Sequence, residues 1–448
     1  MTSSTKRAGR ESKLLMLGLY LCAFVMILVL YDIYLVPYWS YRGFIAEPSN
    51  EKIAIAIGII SLFVLATPSK VDVRSFFLNF ALSIHLLPLM AVYAYSGKPT
   101  EHALVICLAF AIVYLVSSVN IPRISAFKIG SSVLLAILMS MPVLFILALY
   151  FLGGFRYFNL DIASVYEFRK DASDNLPGIF GYFSSIVTKI IIPVAVCISL
   201  VKRNYMALLL LIFISVIIFG LTAHKGVLFS PFLVIAVYYA VFYFRYNYFI
   251  IFGLIAGLAI GIIVSFLADL DAPGTAGVLY NTLIIRRVLM VPAVLSHYYL
   301  DFFSYNPQYY WSSSSFSFGI TDNPYGVPPP ILIGEVFFDG DDTSANTGFI
   351  GSGFAQAGLW GVTLYSFGAG LLIAIFNTYG RFLGLPFIVA VMIRPMQTML
   401  LSTDFPTLFL THGMLLLLLL MPLLPAPGSE RGARRRKQSL PEMGSLKA

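Results

Sequence analysis

Apolar runs of close to twenty residues, separated by short polar breaks, fill most of this 448-residue chain. About twenty helical residues rise roughly 30 Å, the thickness of a bilayer's hydrocarbon core. Runs of this kind stand at about 14–36, 52–68, 75–95, 102–120, 129–152, 182–201, 205–221, 227–244, 247–267, 349–377, 384–401 and 407–424. A membrane β-barrel would instead alternate apolar and polar positions in segments of roughly ten residues. The pattern therefore predicts an all-α polytopic membrane protein with about twelve transmembrane helices. Composition agrees: 11% of residues are charged and 59% hydrophobic, whereas soluble domains carry roughly 25% charged residues. The first run is too long for a signal-peptide core and no small-residue cleavage site follows it, so it reads as an uncleaved span.

The net charge of +8 would be compatible with nucleic-acid binding if it were clustered on one face. It is instead distributed at both tails and in alternate short breaks: Lys6, Arg7, Arg10 and Lys13, Lys70 and Arg74, Arg123 and Lys128, Lys202 and Arg203, Arg245, Arg381, and the run Arg434 to Lys437. By the positive-inside rule these sites are cytoplasmic, and an even span count puts both termini there. Most acids fall on the opposite side. The expected organisation is a basic cytoplasmic tail at 1–13, one transmembrane domain at 14–426 and a disordered basic cytoplasmic tail at 427–448. Two outward loops are long, at about 153–181 and 268–348, and the second is expected to carry short amphipathic helices. The cytoplasmic breaks are too short for a nucleotide-binding domain, and no Gly-rich phosphate loop ending in Lys-Ser/Thr is present. No nucleotide cofactor is expected, and no metal is indicated. Cys22, Cys107 and Cys197 lie inside apolar runs, with no disulfide or metal spacing, and are expected to serve as small core residues. No internal repeat of the kind common in transporters is evident.

The residues that could carry chemistry concentrate in IIRRVLMVPAVLSHYYLDFFSYNPQYY, from Ile284 to Tyr310. Arg286 and Arg287 offer planar forks suited to phosphate oxygens, or to lipid headgroups if the segment lies at the interface. In a helical register His297 and Asp301 are one turn apart, and Asp301 falls near the face that carries Arg287. Tyr298 and Tyr299, with Phe302, Phe303, Tyr309, Tyr310 and Trp311, are able to stack on sugars or to form an interfacial belt. Arg394 sits midway along an apolar run, where a charge is costly and normally faces a cavity or a partner. The last run starts near Asp404 and carries His412, which antiparallel packing would bring to the depth of Arg394. His224 and Lys225 occupy the outward turn LTAHKG, and Lys189 is expected to snorkel from the sixth run. The acids of FFDGDD (Asp339, Asp341, Asp342) are read as a Gly-centred turn rather than a cation site. The small residues of ANTGFIGSGFAQAGLWG, from Ala345, allow close helix packing.

Taken together, these pieces resemble a known family. Arg287, four residues, Pro292 and then HYYLDFFSYNP is similar to a pattern in Wzy-type polymerases of O-antigen or oligosaccharide repeat units. Three further stretches resemble that family: LTAHKG from Leu221, PPPILIGEVFF…NTGFIGSGFAQAGLWG from Pro328, and LSTDFPTLFLTHG from Leu401. The likeness covers most of the second half of the chain. It implies a GT-C-like glycosyltransferase in the bacterial inner membrane with its active site facing the periplasm. Such enzymes transfer a growing glycan from undecaprenyl diphosphate to a sugar hydroxyl of the next lipid-linked repeat unit, using the energy of the sugar–diphosphate bond. The implied partners are undecaprenyl-diphosphate-linked oligosaccharides, membrane lipids, a chain-length regulator and a flippase, with no nucleic acid.

The catalytic candidates are Arg287 and Arg394, which would stabilise the diphosphate leaving group, and Asp301, His297 and His412, any of which would serve as base. The substrate-binding candidates are Arg286, Lys225, His224, Tyr298, Tyr299 and Asp404. Two alternatives stay open: an O-antigen ligase with related chemistry, and a non-enzymatic flippase or transporter of lipid-linked oligosaccharide.

Overall fold

The computed structural model describes residues 3–124, 129–160, 179–222, 224–244, 248–270, 274–314, 317, 319–338 and 343–424. These residues form helices and turns, and among them no strand occurs beyond one isolated bridge between Glu47 and Ser96. The helices are α1 (Ser12–Arg42, the membrane-length part of a helix that begins at Ser3), α2 (Asn50–Ala66), α3 (Val73–Tyr95), α4 (Thr100–Val116), α5 (Ser131–Phe151), α6 (Gly181–Lys202), α7 (Tyr205–Thr222), α8 (Lys225–Tyr243), α9 (Tyr248–Leu267), α10 (Ala276–Phe303), α11 (Pro329–Phe338), α12 (Phe349–Leu383), α13 (Leu385–Leu401), α14 (Phe405–Leu410) and α15 (Met414–Leu423). Nine of them are long and apolar enough to cross a membrane, among the described residues. This is a multi-pass helical membrane protein. Large apolar side chains such as Phe252, Ile263, Phe266 and Leu267 point outward from α9, which water would penalise and lipid does not.

Two elements depart from the expected layout. The run expected as a span at 407–424 is broken before Gly413 into the short helices α14 and α15. Residues 276–303, expected inside a long outward loop, form α10, a continuous helix of 28 residues whose length and composition suit a span. The cysteines also differ from expectation: Cys197 is buried, but Cys107 is half-buried and Cys22 exposed. The tail at 427–448, Arg245, most of the 153–181 loop and the FFDGDD acids lie outside the described residues.

Proline placement shapes four of the long helices. In α1, α3, α6 and α10 a stretch of π-helix (Tyr31–Leu35, Leu82–Leu86, Val187–Ile191 and Asn281–Met290) ends two residues before a proline, namely Pro37, Pro88, Pro193 and Pro292. A helix-interior proline lacks an N–H and its ring strikes the preceding turn. Widening that turn to the i→i+5 pattern relieves the clash without ending the helix. Each widened stretch carries a charged or titratable residue: Asp32, His85, Lys189, and the pair Arg286 and Arg287.

The chain divides into two compact units. The first comprises 1–121, 243–377 and 394–410. Its centre is α3, buried along nearly its whole length. Tyr20 of α1 donates to the Asn79 carbonyl (3.0 Å), and Tyr31 hydrogen-bonds Ser96 (2.5 Å). In the same unit α12 breaks at Ala357 and Gly358, where Gly358 takes φ +56°. A Cβ on Gly361 would overlap the Gly353 carbonyl across that break, so the small-residue stretch permits close backbone approach, as its composition predicts.

The second unit comprises 122–242, 378–393 and 411–448. It is built on α6, which Ser230 of α8 meets at the Thr188 carbonyl (3.2 Å). Lys189 does not snorkel: its ammonium donates to His412 Nδ1 at 2.6 Å.

Candidate functional site

The first unit holds a pocket of about 360 Å³ lined on one side by Trp39, Arg42 and Phe44 and on another by Arg286, Arg287, Val291, Val294 and Leu295. Phe338, Thr343, Ser344 and Ala345 complete the lining. Among the described residues, three arginines and no carboxylate line this space. Arg286 lies flat on Trp39, with its guanidinium carbon 3.6 Å from the ring centroid. The indole is itself held: Trp39 Nε1 donates to the Tyr34 hydroxyl (3.0 Å), which hydrogen-bonds Thr282 of α10 (3.2 Å). Arg286 Nε is buried without a hydrogen-bond partner. Arg42 lies over the rings of Tyr41 (5.3 Å) and Phe338 (5.8 Å). Arg42 and Arg287 are near enough to Arg286 to act on it electrostatically, so three like charges are gathered without a counter-ion among the described lining residues. Such an arrangement is unfavourable alone and is relieved by a multivalent anion.

Beyond the pocket, α10 continues on the same face. Arg287, Val291, Val294, Tyr298 and Asp301 follow one another at spacings of four and three, one stripe of a helix. Tyr298 is a panel in the wall: its ring stacks on Phe337 at 4.1 Å, and Lys98 Nζ lies 5.2 Å from its centroid. Lys98 then pairs with Asp301 Oδ2 at 2.6 Å. Asp301 Oδ1 is 3.5 Å from His102 Nε2, His102 Nδ1 is 3.0 Å from His297 Nδ1, and His297 Nε2 is 3.0 Å from the Leu89 carbonyl.

Of the residues singled out from sequence, Arg286, Arg287, Tyr298, Asp301 and His297 are thus aligned on α10. His297 has no exposed surface and both ring nitrogens engaged, so it supports the site from behind rather than touching a ligand. Tyr299 is buried and donates to the Ala345 carbonyl at 3.0 Å, which leaves it no face for a sugar. Arg394 does not line the pocket: it is half-buried in α13 and makes no side-chain hydrogen bond or ion pair with a described residue. His412, His224 and Lys225 belong to the second unit. The residues that sequence reasoning passed over are Trp39, Arg42, Lys98 and His102. Arg42 and Lys98 did carry a signal, being cations that fall on the acid-rich side of the charge pattern.

Asp404, in the turn between α13 and α14, accepts from the Tyr365 hydroxyl at 2.8 Å, which in turn accepts from Trp311 Nε1 at 2.8 Å. Burial raises its carboxyl from the ordinary 3.8 to about 6, against the opposing hydrogen bonds from Tyr365, Phe405 and Gln356. A carboxyl raised on folding favours the folded state at low pH. That contribution is lost as pH climbs from about 4 to about 6 and amounts to at most about 3 kcal/mol. Asp404→Asn keeps an acceptor for Tyr365 and removes the ionisation. It is expected to raise the melting temperature at pH 7.5 and change it little at pH 4, read from melting curves of the detergent-purified protein at both pH values.

No protein-family model, curated protein or solved structure matches this chain. The functional reading therefore rests on the residues and their geometry.

Proposed function

We propose that this protein is a glycosyltransferase that polymerises lipid-linked oligosaccharide repeat units of a bacterial surface polysaccharide. The growing glycan leaves undecaprenyl diphosphate and joins a sugar hydroxyl of the next lipid-linked repeat, at the periplasmic face of the inner membrane. The observation that carries this reading is the pocket lined by Arg42, Arg286 and Arg287, with no carboxylate among its described lining residues. A diphosphate develops negative charge as the glycosidic bond to it breaks, and pre-positioned cations in a low-dielectric site stabilise that charge without reorganising. The aromatic walls at Trp39 and Phe338 suit the apolar faces of sugars or the first isoprene units. A ligase would share this pocket and differ in its acceptor.

Deletion of the gene, followed by analysis of surface and lipid-linked glycans, tests the reading. A polymerase deletion leaves single repeat units displayed outside and no ladder of longer chains. Repeat units trapped facing the cytoplasm would indicate a flippase. Long polymer that stays on its lipid carrier would indicate a ligase, and an unchanged glycan profile would overturn the proposal.

A further inference from the structure

Two histidines from distant parts of the chain meet ring to ring beside an aspartate, and their protons can be counted. The Leu89 carbonyl only accepts, so His297 Nε2, 3.0 Å away, carries a hydrogen. In the neutral ring His297 Nδ1 is then an acceptor, and its neighbour at 3.0 Å, His102 Nδ1, must be the donor. That leaves the Nε2 lone pair of a neutral His102 directed toward Asp301 Oδ1 at 3.5 Å. The other carboxylate oxygen is occupied by Lys98 at 2.6 Å. Among the described side chains around it, a proton arriving at Asp301 Oδ1 therefore has one acceptor, His102 Nε2. Asp301 is the open end of this row, since its side chain is 27% exposed against 5% for His102.

We propose that Asp301, His102 and His297 form a relay that takes up the proton of the acceptor hydroxyl, with His297 fixing the tautomer of His102 and Lys98 orienting Asp301. This rests on the transferase reading above and adds the base to it. Asp301 lies seven residues beyond Val294 of the pocket wall, about 10 Å along the helix. This spacing leaves room for a sugar between the diphosphate and the carboxylate. In the step, the acceptor oxygen forms its bond to the anomeric carbon while the bond from that carbon to the diphosphate oxygen breaks. The electron pair of the broken bond stays on the diphosphate, which the arginines hold as an anion. The hydroxyl proton moves to Asp301 Oδ1 and on to His102 Nε2, which releases it to water after product leaves. The charged and titratable groups around His102 are Lys98, Asp301, Glu101, Lys52 and His297, with His85 acting on His297 from α3. The relay's pH response belongs to this group as a whole.

The test uses the full-length protein in nanodiscs, with lipid-linked repeat units extracted from cells lacking the gene, and follows chain elongation against pH. Undecaprenyl diphosphate binding is measured on the same samples. Asp301→Asn and His102→Gln are expected to slow transfer about 100-fold or more with binding within a factor of three of the unaltered protein. In His102→Gln the acid limb of the pH–rate profile is expected to change position, because the group that takes the proton on from Asp301 is gone. His297→Gln, which can both donate to Leu89 and accept from His102, is expected to keep most of the rate, and His297→Leu to lose it. Unaltered rates in Asp301→Asn and His102→Gln, or an equal loss at every pH in His102→Gln, would overturn the relay and leave the transferase reading standing. Absence of any transfer by the unaltered protein would overturn both.

Discussion

Arg286→Ala and Arg287→Ala are each expected to abolish long glycan chains while single repeat units continue to reach the cell surface. Removing one pre-positioned donor from a developing oxyanion costs about 100- to 1000-fold in rate, enough to erase a polymer ladder built by repeated transfers. The two arginines differ in how they are held, and this separates their lysine variants. Arg286 sits over the Trp39 ring at 3.6 Å with its Nε buried. A lysine cannot lay a planar guanidinium on the indole or present a fork, so Arg286→Lys is expected to restore little. Arg287 is exposed at the pocket wall, where a flexible ammonium can still reach an anion, so Arg287→Lys is expected to restore a ladder of shorter chains. Gel profiles of surface glycan from complemented deletion cells read both results. Sequence reasoning preferred Arg287. The geometry gives Arg286 the more tightly held role.

A second large effect is expected at a residue that carries no side chain. Gly43 follows Arg42 with φ +88°, a backbone conformation that L side chains rarely adopt, and a Cβ there would overlap the Tyr298 hydroxyl. Gly43→Ala therefore meets two penalties: backbone strain of order 1 kcal/mol or more, and a clash that must move either Arg42 or the Tyr298 panel stacked on Phe337. The variant is expected to fold, since the strain is small against total stability, yet to lose undecaprenyl diphosphate affinity at least 10-fold because Arg42 shifts. Adding Tyr298→Phe removes the overlapping hydroxyl but leaves the strain and a ring-carbon approach of 2.7 Å, so the double variant should recover only part of the affinity and part of the lost melting temperature. Full affinity in Gly43→Ala alone would show that Arg42 does not need its present position.

The apolar runs made most of the helices legible, because a bilayer demands a continuous stretch of apolar residues and few other constraints are so strict. They failed at α10 for an identifiable reason. Asn281, Arg286, Arg287, His297 and Asp301 interrupt its hydropathy. Asn281 and His297 are buried against other helices, the arginines line the pocket, and Asp301 is held by Lys98. A helix whose polar residues point into the protein reads as a loop when only the sequence is visible. The prolines at 37, 88, 193 and 292 stand in the sequence, but the widening of each preceding turn, and with it the direction in which Arg286 and Arg287 project, depended on three-dimensional packing.

The site was half legible for the same reason. Its α10 half sits in one conspicuous motif, whereas Trp39, Arg42, Lys98 and His102 join it only through contacts across roughly 200 residues or more of sequence. Nor does an i,i+1 pair such as Tyr298 and Tyr299 reveal what each member packs against. Here Tyr298 faces Phe337 and Lys98, and Tyr299 is fixed inside on Ala345.

The central claim is that the three-arginine pocket holds the diphosphate of a polyprenyl carrier. It is tested most directly by measuring undecaprenyl diphosphate binding to the purified protein in nanodiscs, beside Arg286→Ala and the Arg42→Ala/Arg286→Ala double variant. The account predicts saturable binding that weakens with added salt and falls at least 10-fold in the single variant and further in the double. Equal binding by all three proteins would contradict it.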